Sequence, residues 1–344
     1  MKAVILRKPF DLVIGDIRDP GPPGPGDVRV KVGSVGICGS DVHYFEFGRI
    51  GDFVLKSPLV LGPETSGTVE AVGEGVANLK PGDRVAMEPG LPCGVCRICR
   101  SGRYNLCAHV RFWATPPVHG SLSEYLVHPS AFTYKLPESM SLADGALMEP
   151  MAVGVHACNR VGVRPGDVVA INGAGTIGCM AMLATFAAGS SQLIVSDIIP
   201  ERLERAKRLG ATSVVDARNA AFADAVLQQT GGEGADSVFE CSGHKDGVQT
   251  AVKAVRRGGR IALIGMGHQP VQVDTVAAMA KEVDLLPIFR YANAFPTAIK
   301  LAARGTLRLE ELVTDRFPLD ESIKAFDLAR KPRASTGKVM IEFR

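Results

Sequence analysis

The turn Gly173-Ala174-Gly175-Thr176-Ile177-Gly178 restricts the fold of this 344-residue chain more than any other feature of its sequence. The turn has the pattern G-x-G-x-x-G. It follows the apolar segment 167–173, which predicts a strand, and it opens the Ala/Met/Leu-rich segment 177–188, which predicts a helix. In such a turn the first glycine makes the bend, the second lets a pyrophosphate approach the backbone, and the third allows close helix packing. The motif alone is weak evidence, but its position predicts a dinucleotide site, against the alternative of a glycine-rich turn in an α/β sheet that binds no nucleotide.

Strands and helices alternate from this turn onward. The pattern predicts strands at 167–173, 192–197, 213–217, 236–243 and 260–265, and helices at 177–188, 201–210, 222–229 and 248–255. Elements of this length imply right-handed βαβ crossovers and therefore an α/β fold with a doubly wound parallel sheet. The residues before 150 are instead β-rich, with predicted strands at 28–37, 67–76 and 84–88, and the terminal segment 338–343 predicts another strand.

The second predicted strand ends at Asp197. A carboxylate there would accept hydrogen bonds from ribose hydroxyls and repel a 2′-phosphate, which favours NAD over NADP. Arg202 is an alternative signal, because an arginine nearby could hold that phosphate. The predicted cofactor-binding residues are Gly173, Gly175, Thr176, Ile177, Gly178, Asp197 and Arg202.

Four of the eight cysteines are closely spaced. Cys93, Cys96, Cys99 and Cys107 form C-x2-C-x2-C-x7-C, which suits a closed tetrahedral zinc site that stabilises a small lobe and has no open position for catalysis. An iron–sulfur cluster is the alternative occupant.

Charge and hydropathy exclude several classes of function. The net charge of +3 and the absence of a Lys/Arg run argue against a nucleic-acid partner, and no apolar run is long enough to span a membrane. The N-terminal segment lacks a secretory signal pattern, so we expect a cytoplasmic protein, in which reduced cysteines bind metal or lie buried.

The motifs together resemble the zinc-dependent medium-chain dehydrogenases, over nearly the whole chain. The segments that carry the resemblance are "GICGSD" (36–41), "VGEGVANLKPGDRV" (72–85), the four-cysteine lobe, "GAGTIG" (173–178) and "LGA" (209–211). Within that family the chain is most similar to the sorbitol/xylitol (polyol) dehydrogenases, through "GICGSDVHYF" (36–45), "FVLKSPLVLG" (53–62), "FWATPPVHGSLSEY" (112–125), "LMEPMAVGVHAC" (147–158) and "FRYANAFPTAI" (289–299).

The resemblance implies three segments. Residues 1–150 would form a GroES-like, β-rich catalytic domain that carries the four-cysteine lobe, residues 151–288 a Rossmann NAD-binding domain, and residues 289–344 a return to the catalytic domain. It also implies a homodimer or homotetramer.

The resemblance further implies a catalytic zinc, and here the chain departs from the family. The expected ligands are Cys38, a His-Glu pair, and Glu149 directly or through water, but Pro63 stands where the histidine is expected and only Glu64 of that pair remains. Proline cannot bind metal and has no backbone donor. Three alternatives stay open: a weakened zinc site formed by Cys38, Glu64, Glu149 and water, a site that is often empty, or an inactive centre.

The implied reaction is oxidation of a polyol to a ketose. A metal would act as Lewis acid on the hydroxyl, hydride would pass to NAD, and Ser40, His43 or Glu149 with water would carry the proton away. Ser40 could instead be the N-cap of a helix. The positions that match the polyol pocket of the family are Tyr44, Phe53, Phe112, Arg290 and Tyr291.

Two other functions remain open at this stage. One is the oxidation of a different secondary alcohol, of threonine or diol type. The other is a metal-deficient dinucleotide-binding protein without activity, which Pro63 alone supports.

Overall fold

A six-stranded parallel sheet forms the centre of the middle part of the chain. The computed structural model describes residues 1–267 and 270–343, and it divides them into two compact units, Met1–Glu149 with Ala298–Arg344, and Pro150–Thr297. The strand order of the parallel sheet is β15 (Ser213–Asp216), β14 (Gln192–Asp197), β13 (Val168–Asn172), β16 (Ala235–Glu240), β17 (Val255–Leu263) and β18 (Asp284–Pro287). Numbered within this sheet, that is the order 3-2-1-4-5-6 of the Rossmann fold, so the predicted doubly wound α/β sheet is confirmed.

The elements of this middle unit alternate as predicted through residue 263, and they are followed by a helix at 275–281 and a strand at 284–287 that the sequence analysis did not predict. In chain order they are β13 (Val168–Asn172), α5 (Thr176–Ala187), β14 (Gln192–Asp197), α6 (Pro200–Arg208), β15 (Ser213–Asp216), α7 (Phe222–Gln229), β16 (Ala235–Glu240), α8 (Gly247–Ala254), β17 (Val255–Leu263), α9 (Thr275–Lys281) and β18 (Asp284–Pro287). Among the predicted strands, β17 differs most from the prediction: it begins five residues before the expected Arg260, because Val255 already pairs with Ala235.

The other unit contains a seven-stranded, mostly antiparallel sheet. Its first segment supplies β1 (Lys2–Lys8), β2 (Asp11–Asp16), β3 (Asp27–Gly36), α1 (Gly39–Phe47), β4 (Arg49–Ile50), β5 (Phe53–Val54), β6 (Leu59–Val60), β7 (Glu64–Val72), β8 (Arg84–Met87), β9 (Gly90–Leu91), α2 (Arg97–Arg100), β10 (Arg111–Phe112), β11 (Tyr125–Pro129), β12 (Thr133–Lys135) and α3 (Leu142–Ala146). Its last segment supplies β19 (Val313–Pro318), α11 (Ser322–Arg330) and β20 (Lys338–Glu342), while α4 (Met148–Val161) and α10 (Phe295–Ala302) join the two units.

The C-terminal strand β20 lies inside the large sheet, between β3 and β19. The strand order is β12-β8-β7-β3-β20-β19, and β11 also pairs with β3. Because β20 pairs with β3 at Met340 and Gly36, the end of the chain lies beside the strand that leads to Cys38. This register brings residues more than 270 positions apart in sequence to one place.

Separate apolar clusters stabilise the two sheets. Among the described residues, Val35, Leu61, Leu122 and Phe326 belong to a cluster of the antiparallel unit, and Ile194, Val238 and Ile261 to a cluster of the parallel unit. No described helix is both long and apolar enough to span a bilayer.

Candidate functional site

A cavity of about 680 Å³ opens at the carboxyl ends of the parallel strands β13, β14 and β16. This is the position at which open α/β sheets bind ligands, beside the point where the strand order reverses. Its lining includes Asn172, Gly173, Gly175, Asp197, Arg202, Cys241 and Ser242. Four of the seven predicted cofactor residues, Gly173, Gly175, Asp197 and Arg202, therefore border one cavity.

The three glycines of the turn have different surroundings. Gly173 has a φ of 101°, a conformation that favours glycine. A Cβ atom on Gly178 would lie 1.8 Å from the carbonyl oxygen of Gly173, so this position leaves no space for a side chain. A Cβ atom on Gly175 would meet no protein atom within 4 Å, and this space is where a phosphate could approach the backbone.

Asp197 holds the turn in place from the end of β14. Its Oδ2 accepts a hydrogen bond from Ala174 N at 2.8 Å, and its Oδ1 accepts one from Ile199 N at 2.9 Å. The guanidinium of Arg202 lies 3.7 Å from Oδ2. The side chain is mostly buried, so its carboxylate is fixed in orientation before any ligand binds.

The cysteine lobe has the geometry of a closed metal site. The Sγ atoms of Cys93, Cys96, Cys99 and Cys107 all lie within 4.8 Å of one another. Backbone N–H groups already donate to sulfur, from Cys99 to Cys96 at 3.4 Å and from His109 to Cys107 at 3.4 Å. Backbone donors at Val95 and Cys96 also lower the pKa of Cys93 to about 6. Four thiolates that converge in this way fit zinc and leave no ligand position open.

Glu88 connects this lobe to the large sheet. Its carboxylate is buried and accepts hydrogen bonds from Tyr104 Oη at 2.7 Å, within the lobe, and from Tyr134 Oη at 2.9 Å, on β12. Burial raises the pKa of Glu88. The sequence analysis did not single out this residue, because nothing local distinguishes a buried glutamate from an exposed one.

A second centre surrounds Cys38, which precedes α1. Asp41, fully buried, accepts hydrogen bonds from Cys38 N at 2.9 Å and from Gly62 N at 2.9 Å, so it joins the loop that carries Cys38 to the turn that carries Pro63 and Glu64. The N-cap of α1 is Cys38 and not Ser40, so the alternative role of Ser40 as an N-cap is wrong. Ser40 lies in the first turn of that helix, with His43 one turn further along.

Lys338 is the residue of this centre that the sequence analysis missed. Its Nζ donates to Glu64 Oε1 at 2.7 Å and to the carbonyl of Ile37 at 2.9 Å, and both side chains of the ion pair are almost fully buried. Burial alone would lower the pKa of Lys338, but the charges of Glu64 and its neighbours raise it overall. The other oxygen of Glu64, Oε2, is buried and has no hydrogen-bond partner.

The three acidic or thiol side chains expected to bind a catalytic metal share one electrostatic environment. Burial, and then the charges of Glu64 and Glu149, raise the pKa of the Cys38 thiol above its ordinary range. This concentration of negative charge, with an unpartnered carboxylate oxygen, would attract a cation.

The ligand geometry of a zinc site is nevertheless incomplete there. Among the described residues, the only set of three or more Cys, His, Asp or Glu ligand atoms within 4.8 Å of one another is the cysteine lobe, so Cys38, Glu64 and Glu149 do not converge. Pro63 supplies no imidazole, and His119 is engaged through Nδ1 by Val60 N at 3.1 Å. As they stand, these residues do not fit a catalytic zinc.

The predicted substrate residues lie in both units. Tyr44 and Phe112 are buried in the first unit and Phe53 is exposed on β5. Arg290, in the second unit, adopts a left-handed φ of 53° and lies 4.7 Å from the ring of Phe289. Tyr291 is buried, with its ring 5.6 Å from that of Phe295. Each unit thus presents part of the predicted set, whose role stays a prediction.

Comparison with known proteins gives the class of this protein. Residues 24–138 match the alcohol dehydrogenase GroES-like domain, and residues 176–304 match the zinc-binding dehydrogenase domain. The chain therefore belongs to the zinc-dependent medium-chain dehydrogenases, and it is an enzyme of that class.

Two relatives of known name match this chain over nearly its full length. A putative D-xylulose reductase of Rhizobium meliloti is 45% identical over 341 residues, which is 99% of each chain. Sorbitol dehydrogenase of Gallus gallus is 42% identical over 342 residues, which is 99% of this chain and 96% of that one.

Solved structures show the same fold over the whole chain. An Escherichia coli oxidoreductase of unknown specificity, involved in membrane biogenesis, matches with a TM-score of 0.95 at 38% identity, covering 100% of this chain and 99% of that one. 2R,3R-butanediol dehydrogenase from Bacillus subtilis matches with a TM-score of 0.90 at 30% identity, covering 99% of each chain.

Proposed function

We propose that the protein is an NAD-dependent polyol dehydrogenase that interconverts a sugar alcohol of xylitol or sorbitol type and its ketose. The observation that carries this proposal is the identity of 42–45% with D-xylulose reductases and sorbitol dehydrogenases over nearly the full length of both chains. The G-x-G-x-x-G turn and Asp197 supply the means to hold the dinucleotide.

The dinucleotide would bind in the cavity of the parallel sheet. The backbone at Gly175 and the N-terminus of α5 would hold the pyrophosphate, and Asp197 would accept hydrogen bonds from a ribose. A carboxylate at that position disfavours a 2′-phosphate, so NAD is the proposed cofactor. When bound, NAD supplies the hydride acceptor.

In oxidation, the carbinol carbon loses a hydride and the hydroxyl loses a proton. The turn at Gly175 and the carboxylate of Asp197 would hold NAD, which would supply the acceptor for the hydride and its electron pair, so that the carbinol C–O bond becomes a carbonyl. Ser40 and His43, on the first turns of α1, would carry the proton toward solvent, since a serine both donates and accepts and a histidine titrates near neutral pH. Arg290 and Tyr291 would orient further hydroxyls of the polyol.

A different secondary alcohol is the second candidate substrate. The match to butanediol dehydrogenase at 30% identity is the observation that makes a short diol the alternative to a sugar alcohol. We also propose, from the family resemblance, a cytoplasmic homodimer or homotetramer.

The test is NADH formation by the purified protein with xylitol, sorbitol and 2R,3R-butanediol, each with NAD and with NADP. We expect the highest kcat/KM with a polyol and NAD. A preference for butanediol would replace the substrate assignment. Failure to oxidise any of the three alcohols, by a protein that still binds NADH, would refute the proposed activity.

A further inference from the structure

Glu240 is the last residue of β16, and the residues that follow it line the dinucleotide cavity. Its side chain is buried. Oε1 accepts hydrogen bonds from Ser242 N at 2.9 Å and from Ser242 Oγ, and Oε2 accepts one from Gly243 N at 3.4 Å. Because a buried carboxylate is stable only when donors surround it, these hydrogen bonds fix both the side chain and the segment that supplies the donors.

That segment, residues 241–246, connects β16 to α8 and forms one wall of the cavity. Cys241, Ser242 and Asp246 are among the residues that line it. The segment also packs against the dinucleotide turn, because a Cβ atom on Gly173 would lie 2.9 Å from Ser242 N and 3.0 Å from Ser242 Cα. A displacement of Ser242 would therefore change both the wall of the cavity and the bend at the first glycine of the turn.

Two glycines leave the space that the carboxylate of Glu240 occupies. A Cβ atom on Gly247, the first residue of α8, would have three side-chain atoms of Glu240 as its nearest neighbours, with Oε1 at 2.5 Å. A Cβ atom on Gly265, just after β17, would lie 2.8 Å from Oε2. The carbonyl oxygen of Glu240 also accepts hydrogen bonds from Ile264 N and Gly265 N, both at 2.9 Å. Glu240 thus lies where the cavity wall, the start of α8 and the end of β17 meet.

From these contacts we infer that Glu240 is a positioning residue for the dinucleotide, because its carboxylate holds residues 241–246 in the conformation that binds the ligand. This inference rests on the proposed use of the cavity for NAD. A carboxylate suits the role, since both of its oxygens accept, whereas a glutamine would direct an NH2 group at the N–H of Ser242 or Gly243. The segment then adopts other conformations, and the affinity for the dinucleotide falls with the fraction of molecules that can bind.

The test compares Glu240→Gln with Asp236→Asn, a matched control near the other end of the same strand. The carboxylate of Asp236 also accepts from a backbone N–H, that of Val168 at 2.8 Å, and it accepts from Arg256 Nε at 2.7 Å. Fluorescence titration gives the Kd for NADH, and thermal unfolding gives the Tm. Hydrogen exchange of the nucleotide-free protein measures the local order of residues 241–246.

In Glu240→Gln we expect the Kd for NADH to rise about tenfold, and the amides of residues 242 and 243 to exchange about tenfold faster, while those of β14 keep their rates. During turnover the KM for NAD should rise and kcat should not change. Asp236→Asn should lower the Tm and leave the Kd for NADH unchanged. An equal rise of the Kd in both variants overturns the inference, as does a folded Glu240→Gln with the Kd or the exchange rates of the wild type.

Gly247→Ala gives an independent decision, because its methyl group displaces the carboxylate of Glu240 and keeps the charge. We expect its Kd for NADH to rise about threefold, and the rise to be smaller when the change is added to Glu240→Gln, since both changes act on one contact. An unchanged Kd in Gly247→Ala, or fully additive effects, overturns the inference. The exchange rates are measured without nucleotide, so they test Glu240 separately from the proposed cofactor and from the alcohol assay.

Discussion

Replacing Gly175 by alanine tests the dinucleotide turn without disturbing the protein around it. The added Cβ meets no protein atom within 4 Å, and the backbone at Gly175, with φ −69° and ψ −176°, is open to any residue. We therefore expect a folded variant whose free energy of unfolding is unchanged or slightly increased, since alanine restricts the unfolded chain more than glycine does.

The same methyl group would lie where the pyrophosphate approaches the backbone. A backbone N–H donates to a phosphate oxygen at about 2.9 Å, and a side chain at that point keeps the oxygen further away. A hydrogen bond to a charged group contributes about 1.5–3 kcal/mol, so the loss of one raises the Kd for NADH roughly tenfold to a hundredfold.

Gly178→Ala is the matched control, because it adds the same methyl group where there is no space. Its Cβ would lie 1.8 Å from Gly173 O, and real Cβ contacts essentially never fall below 3.0 Å. The turn must then move by about 1.2 Å, which is 3.0 minus 1.8. Overpacking of this kind costs about 1–3 kcal/mol, so this variant should lose stability as well as affinity.

The assay combines NADH titration by fluorescence with thermal unfolding in the absence of nucleotide. Gly175→Ala should change only the Kd, and Gly178→Ala should change both the Kd and the Tm. If Gly175→Ala binds NADH as tightly as the wild type, the pyrophosphate does not approach the backbone at this turn, and the assignment of the cavity is wrong.

Three further predictions concern other parts of the chain. Burial lowers the pKa of His128 to about 4 from an ordinary value near 6.5. Between these two pH values the histidine is protonated in the unfolded state and neutral in the folded state, so the free energy of unfolding decreases as the pH falls from 6.5 to 4. Denaturant unfolding followed by the fluorescence of Trp113, the single tryptophan, whose ring lies 4.5 Å from that of His128, should show this slope, and an equal slope in His128→Gln would contradict it. Asp197→Ala should lower the ratio of kcat/KM for NAD to that for NADP by about tenfold or more, and an unchanged ratio would exclude Asp197 as the selector. Cys96→Ser should remove about one zinc ion per chain and lower the Tm, whereas buried Cys158→Ser should keep the zinc, and equal zinc contents in the two variants would contradict the metal site in the lobe.

Local sequence signals were sufficient to predict five of the six strands of the parallel sheet, and the strand Asp284–Pro287 was not predicted. Each of the five predicted strands is an apolar segment between turn residues, and Gly178 is required by a contact with Gly173, five residues earlier in the chain. The left-handed φ of 111° at Gly210, just after α6, likewise follows from its place beyond the end of a helix. Pairing between neighbouring βαβ units then follows from handedness and short connections.

The centre around Cys38 could not be predicted in the same way. Lys338 and Glu64 are 274 residues apart, and their contact depends on β20 pairing with β3 in one particular register. The only local signal was a lysine at the start of the terminal strand, before three apolar residues, and a lysine is usually exposed. The tyrosine contacts of Glu88 depend on long-range pairing for the same reason, because Tyr134 lies opposite Ala86 in the β8–β12 pair.

The turn at Pro63 keeps its shape although it has lost a ligand. Gly62, at a φ of 93°, donates its N–H to Asp41, and its carbonyl accepts from Ser121 N at 2.9 Å and from Ser121 Oγ at 2.7 Å. A Cβ on Gly62 would lie 2.8 Å from Leu122 Cγ, so the bend is fixed by packing and backbone hydrogen bonds. Because none of these contacts involves a side chain at position 63, proline removes an imidazole without altering the scaffold that presents Glu64. Pro63 therefore changes the charge and the number of ligands at the centre, where Lys338 is the fixed cation, and leaves the backbone of the turn as it is. The metal content of the protein measures this change more directly than its stability does.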